Sequence, residues 1–184
     1  MCSFKTMPHL YPFFIESTRG IPSAISAHIS TPALRHKNTV LACRYTDLFS
    51  PTVEMGIKRK VLEIIREAPS LNFIIPTRFP EETRSFLLPR NVIVMGVCFA
   101  DHHAKLMIER LDSLIGIVEA ALFVTPNVDL KTALGDDFTF DEYDLLFVAQ
   151  GNIHPPHESE PNKFVARNRR FCDKANIAFY SAYL

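Results

Sequence analysis

The sequence predicts one α/β domain of about six parallel strands, a (β/α) barrel, whole or partial, at least as readily as an open doubly wound sheet, preceded by an irregular N-terminal arm. Three observations predict it. From Thr39 onward, short β-branched runs alternate with longer helical patterns. Strands as continuously apolar as "NVIVMGVCF" need cover on both faces, which helical crossovers between parallel strands supply. Neither a GxGxxG nor a Walker-type phosphate loop follows the first strand, which removes the usual sequence support for an open nucleotide-binding sheet. With 184 residues and 47 % hydrophobic content, the chain can bury roughly 70 % of its unfolded surface, as a single domain over 1–184 would.

The elements follow in order. Residues 1–38 hold Pro8, Pro12, Gly20, Pro22 and Pro32 among aromatics and Ser/Thr, a spacing too broken for long elements and too apolar for a solvated tail, so they read as an arm that packs irregularly. The barrel occupies 39–184. "TVLACRY" is its first strand, and Val53 to Ala68 follows as an amphipathic helix with Ile57, Val61, Leu62, Ile64 and Ile65 on its apolar side. "LNFIIPT" is the second strand, ahead of a short helix that Pro80 opens at a first-turn position. "NVIVMGVCF" is the third, before a helix with Asp101 as N-cap and Leu106, Ile108 and Leu111 as apolar positions. "AALFVT" is the fourth, with one turn of helix in "DLKTAL"; "YDLLFVAQ" is the fifth; a helix over about 162–176 leads to the sixth, "IAFYSAY".

Charge and cysteine usage exclude several classes of function. Lys+Arg and Asp+Glu both number 20, so no basic excess draws in a nucleic-acid backbone. "ARNRR", Ala166 to Arg170, lies within a helix pattern and reads as a solvated face. No apolar run reaches the ~18 residues of a membrane span, and "MCSFKTMPHL" lacks a secretory apolar core, so the expected location is the cytoplasm. Cys2, Cys43, Cys98 and Cys172 stand far apart without a CxxC pair, which suits buried reduced thiols.

Ligands of a parallel barrel collect on the loops at the C-terminal ends of its strands. Those ends offer Arg44, Thr46 and Asp47; Thr77 and Arg78; Asp101, His102 and His103; Thr125 and Asn127; and Gln150, Asn152, His154 and His157. One reading makes Asp47, Asp101, His102, His154 and His157 an N/O ligand set for a metal-dependent hydrolase or lyase. The other makes Asp47 the closer of its own turn, Arg78 its ion-pair partner, "ADHH" an exposed first helical turn, and "HPPHES" a Pro-rich loop whose histidines cannot share a helical face.

The blocks "YTDLFSPTV", "FIIPTRFPEE", "LPRNVIVMGV", "TPNVDL", "YDLLFVAQGN" and "RNRRFCDKANIAFYSAY" occur in an order that resembles the phage gene-product 37/68 family, a radical-SAM-like group of phages and mobile elements. The resemblance runs from about Val40 to the C-terminus and rests on order and spacing. It implies a partial barrel whose first strand precedes a loop with three cysteines holding an iron–sulfur cluster. Residues 1–38 carry only Cys2, and such a cluster needs closely spaced thiolates. Thr125 and Pro126 stand where the family has Glu-Pro, and Gln150, Gly151 and Asn152 where it has Gly-Glu-Ser. Arg78 and Phe79 replace a Lys-Arg pair. The expectation is a degenerate, cofactor-free relative that works by binding a host macromolecule, such as a defence component. A first strand left without its neighbour would need its edge covered by the 1–38 arm or by a second copy, and homodimerisation is the expectation drawn from this. The alternative is a small-molecule enzyme or binder that uses the barrel mouth.

Overall fold

The computed structural model describes residues 38–43, 46–151 and 164–181. Six strands form one sheet in sequence order: β1 (Asn38–Leu41), β2 (Leu71–Thr77), β3 (Val92–Cys98), β4 (Glu119–Val124), β5 (Leu145–Gln150) and β6 (Phe179–Ser181). Every pairing is parallel, and the sheet curls into a half barrel. The crossovers carry α1 (Met55–Arg66), a 3-10 helix (Pro80–Ser85), α2 (Asp101–Asp112), α3 (Leu130–Leu134) and α4 (Val165–Lys174). The expected fold class and strand count are those observed. All of the predicted arm except Asn38, which opens β1, lies outside the described residues. Among the described residues no helix is long and apolar enough to cross a membrane.

The period of two along each strand sorts its side chains between two apolar clusters. Phe73, Ile75, Val92, Val94, Leu122 and Val148 turn toward the helices and pack with Val61, Ile65, Met107, Ile108 and Phe171. Ile74, Ile93, Met95, Val97, Ala121, Phe123, Phe147 and Ala149 form the second cluster, to which no described helix contributes. The registers stack this inner face in layers. Leu41, Ile74, Ile93 and Glu119 lie side by side, then Pro76, Met95 and Ala121, then Val97, Phe123, Ala149 and Tyr180.

Three local devices differ from the sequence reading. "TVLACRY" does not run its full length as a strand, because Cys43 sits at φ 61 and turns the chain out of β1. Asp101 is the first residue of α2 and Ala100 its N-cap, with no side-chain cap bond; the Asp101 carboxylate reaches instead to the β4–α3 loop. Leu106 is 45 % exposed, and α2 buries Ala104, Met107, Ile108 and Leu111, the set a 3.6-residue period puts on one face. Gly96 in β3 lets α2 approach closely: a Cβ there would lie 2.7 Å from Met107 Sδ and 2.8 Å from Leu111 Cδ1. Asn91, just before β3, donates from Nδ2 to the carbonyls of Ile65, Ala68 and Leu71 at 3.3, 3.1 and 2.8 Å, tying the end of α1 to the start of β2.

Candidate functional site

The C-terminal ends of the strands carry two polar constellations. The first joins β1 to β2. Thr46 N–H donates to the Cys43 carbonyl at 3.3 Å and Ser50 N–H to the Asp47 carbonyl at 3.1 Å, which closes the turn. Asp47 Oδ1 accepts from Thr77 Oγ1 at 2.7 Å and Phe49 N–H at 3.2 Å, and its Oδ2 from Arg78 N–H at 2.8 Å. Arg78 Nε lies 3.7 Å from Oδ2 with its side chain 58 % exposed, a pair worth at most about 1 kcal/mol in that setting. Thr77 Oγ1 in turn accepts from Phe79 N–H at 2.9 Å. Lys58, buried on α1, donates to the Phe49 carbonyl at 3.4 Å and holds the same turn from below.

Asp47 is therefore the latch of this turn. Asp47→Ala removes three donors' acceptor, one of them the hydroxyl of buried Thr77. It is expected to lower the unfolding free energy by about 2 kcal/mol, read as a shift of the urea midpoint at constant slope.

The second constellation surrounds the β4–α3 connection. Asp129 caps α3 by accepting from Thr132 N–H at 3.4 Å and Thr132 Oγ1 at 2.8 Å, and Arg167 Nη1 on α4 lies 2.9 Å from its Oδ2. The Asp129 N–H donates to Asp101 Oδ1 at 2.8 Å. Gln150, wholly buried at the end of β5, directs Nε2 at the carbonyls of Thr125, Pro126 and Val128 at 3.3, 3.3 and 3.4 Å. Asn168 on α4, also wholly buried, donates from Nδ2 to the Val128 carbonyl at 2.8 Å and to Gln150 Oε1 at 3.1 Å, and its Oδ1 accepts from Leu130 N–H at 2.9 Å. Low local polarity makes such a network strong when complete and costly when one member is lost.

Among the residues the sequence nominated, the fold thus joins Asp47, Thr77 and Arg78 in one cluster, and Asp101 and Gln150 in the other, through their bonds to the loop backbone. Thr46 belongs to the Asp47 turn, and Thr125 Oγ1 donates to the Phe99 carbonyl at 3.3 Å. Asn127 is exposed at the tip of the β4–α3 loop; His102 and His103 are exposed in the first turn of α2 with ring centroids 3.9 Å apart. Arg44, Asn152, His154 and His157 lie outside the described residues. Among the described residues no group of three His, Cys, Asp or Glu side chains is placed to hold a metal ion.

The sequence reading missed Lys58, Asp129, Arg167 and Asn168. "DLKT" carries the Asp-x-x-Thr start signal that could have pointed to Asp129. Arg167 and Asn168 carry no local signal, because their partners lie 18 to 40 residues away in the chain. Arg169 lies over the Phe179 ring at 5.3 Å and Arg170 Nε donates to the Ala166 carbonyl at 3.1 Å, so the "ARNRR" face is engaged with its own surroundings.

The described cysteines are buried, unpaired thiols. Burial raises all three: Cys43 well above the ordinary thiol value, with the Asp47 charge adding to it; Cys98, where the bond to the Ala100 carbonyl partly opposes; and Cys172, pushed up to about 12. They do not fit a [4Fe–4S] site, which takes neighbouring thiolates. A thiol whose folded pKa is raised contributes stability that is whole below its unfolded value near 9 and is lost as pH rises toward the folded value. Stability is therefore expected to fall between pH 9 and 12. At pH 8 a maleimide should label Cys43 and Cys172 only after unfolding in urea; rapid labelling of either in the native protein would contradict the burial.

Comparison of the chain with protein-family models, with curated proteins and with solved structures returns no match.

Proposed function

We propose that this half barrel is a non-catalytic module that acts by binding another macromolecule. The observation that carries the reading is a set of exposed apolar side chains in the loops at the N-terminal end of the sheet. Leu87, Ile115 and Ile117, in the loops that precede β3 and β4, are 86 %, 50 % and 53 % exposed. Their loops are tied in place. Arg66 Nη2 donates to the Leu87 carbonyl at 2.9 Å, Arg84 Nη2 to the Ser113 carbonyl at 2.6 Å, and Arg110 Nη1 lies 3.6 Å from Glu81 Oε1. Exposed apolar groups on a preorganised backbone bind with little ordering cost. At the opposite end the Thr77 hydroxyl donates to the Asp47 carboxylate, and that carboxylate and the amide of Gln150 are otherwise spent on loop backbone, which supports binding over chemistry there.

The resemblance to a phage and mobile-element family points to a host protein as the partner, with a component of a defence system as the specific candidate. Homodimerisation belongs to the same proposal, since β1 pairs only with β2 among the described residues and leaves one edge open. Light scattering at micromolar concentration should give twice the chain mass; a strictly monomeric mass removes that part.

The experiment for the main reading is affinity capture from a host lysate with the wild-type chain and with Leu87→Asp/Ile115→Asp. A specific protein retained by the first and reduced at least tenfold with the second, at unchanged thermal midpoint, is the expected result. Equal capture by both, or none by either, overturns it.

A further inference from the structure

The end of the sheet at which its strands begin carries charge of opposite sign on its two sides. The registers set Ile93 of β3 beside Glu119 of β4, and Ala120 of β4 beside Leu145 of β5, so the loops that enter these strands emerge in the order β3, β4, β5, about 5 Å apart. On the β3 side Arg66, Arg84 and Arg90 are exposed, with Glu67 as an exposed acid beside them. Glu81 on this side pairs with Arg110, and Arg90 forms no ion pair with any described residue. On the β5 side the loop between α3 and β5 exposes Asp137, Asp141, Glu142 and Asp144, none of them in an ion pair among the described residues. Ile115 and Ile117, half exposed, stand between the two sides in the loop that enters β4.

The acidic loop is held in shape. Lys174 Nζ donates to the Asp136 carbonyl at 2.9 Å and Lys131 Nζ lies 2.7 Å from Asp136 Oδ1. Phe138 stacks on Tyr143 with ring centroids 5.4 Å apart, and Phe140 meets Phe171 of α4 edge-on at 6.3 Å. Burial, and after it the charges of Glu109, Glu142 and Asp112, push the Tyr143 hydroxyl up, so the carboxylates of the α2 end and of this loop act on one spot. A cationic surface laid over them gains from that field.

The chain itself carries such a surface. A two-fold axis that lies in the plane of this end and passes through the β4 entry turns the β3 side of one copy onto the β5 side of the other. The match then occurs twice, with Ile115 and Ile117 of both copies at the centre, an apolar core within a charged rim. Lys+Arg and Asp+Glu both number 20, so no net charge drives the copies apart. We propose that this end is the contact between two copies of the chain, an isologous pairing in which Arg90 of one copy faces Asp141, Glu142 and Asp144 of the other across Ile115 and Ile117. The contact of the dimer is then this end and not the β1 edge. Its meaning rests on the docking role proposed above: a second copy and a host partner contend for the same side chains, so the dimer is the resting form of the docking surface.

Light scattering on the full-length chain, with native mass spectrometry of heavy–light mixtures, tests the pairing by exchange of charge. Arg90→Glu makes both sides acidic, and Asp141→Lys/Glu142→Lys makes both basic, so each variant alone sets like charges against each other at both contacts. Each is expected to raise the dimer dissociation constant at least tenfold at unchanged thermal midpoint. Mixed in equal amounts, the two variants meet with opposite charges at both contacts, and a heterodimer of near wild-type affinity is expected. A monomeric wild type, a variant as dimeric as the wild type, or a mixture that stays monomeric would each overturn the proposal. No host protein enters these measurements, so the pairing and the capture of a partner can fail separately.

Discussion

Asn168→Leu is expected to destabilise the protein by about 3 kcal/mol, among the largest effects of any single substitution on the polar scaffold. The side chain is wholly buried and serves three partners: Val128 O, Gln150 Oε1 and Leu130 N–H. Leucine has similar volume, so the loss is not one of packing. It strands the Leu130 N–H and the Gln150 carbonyl oxygen in a dry environment, at about 1–3 kcal/mol per unpaired group. For a chain of this size that corresponds to a fall of roughly 6–12 °C in the melting midpoint. Gln150→Leu frees the carbonyls of Thr125, Pro126 and Val128 from their shared donor, and the double variant should cost less than the sum of the two, because Gln150 and Asn168 bond to each other. Strict additivity would mean that the two amides do not act as one clamp.

Gly96→Val should be as damaging, by a different mechanism. The added Cβ meets Met107 Sδ at 2.7 Å and Leu111 Cδ1 at 2.8 Å, and the two methyl groups beyond it have no free volume in a close-packed interior. Forcing extra methyl groups into a packed core costs about 1–3 kcal/mol, occasionally more; with α2 and β3 both at the contact, at least 3 kcal/mol is expected. Gly96→Ala should cost less, since Met107 and Leu111 meet it with the ends of flexible side chains. Met107→Ala opens space at the same point, so Gly96→Val/Met107→Ala should be more stable than the sum of its parts predicts. A cycle with no coupling, read from chemical denaturation, would move the conflict away from Met107.

Both sites bear on how much of the molecule could be read in advance. The six strands and the crossovers were legible because β-branched runs such as "VIVMGVC" and apolar positions such as Val61, Leu62 and Ile65 repeat at the local periods of strand and helix. Strand ends were less so: nothing in "TVLACRY" marks Cys43 as the residue that takes a positive φ and stops β1. The pairing of Asp47 with Arg78 could be anticipated from loop chemistry, whereas the buried donors Lys58 and Asn168 could not, since both occupy helices whose exposed faces are rich in charge.

What the sequence by itself determined is therefore the alternation of strands and helices, the parallel class and the residues eligible to stand at the strand ends, because each depends on near neighbours along the chain. Only the tertiary structure decided that Asp101, Gln150, Arg167 and Asn168 converge on one loop, and that Gly96 must have no side chain. Those outcomes depend on contacts between residues tens of positions apart, whose partners are chosen by how the sheet curls and where each helix packs.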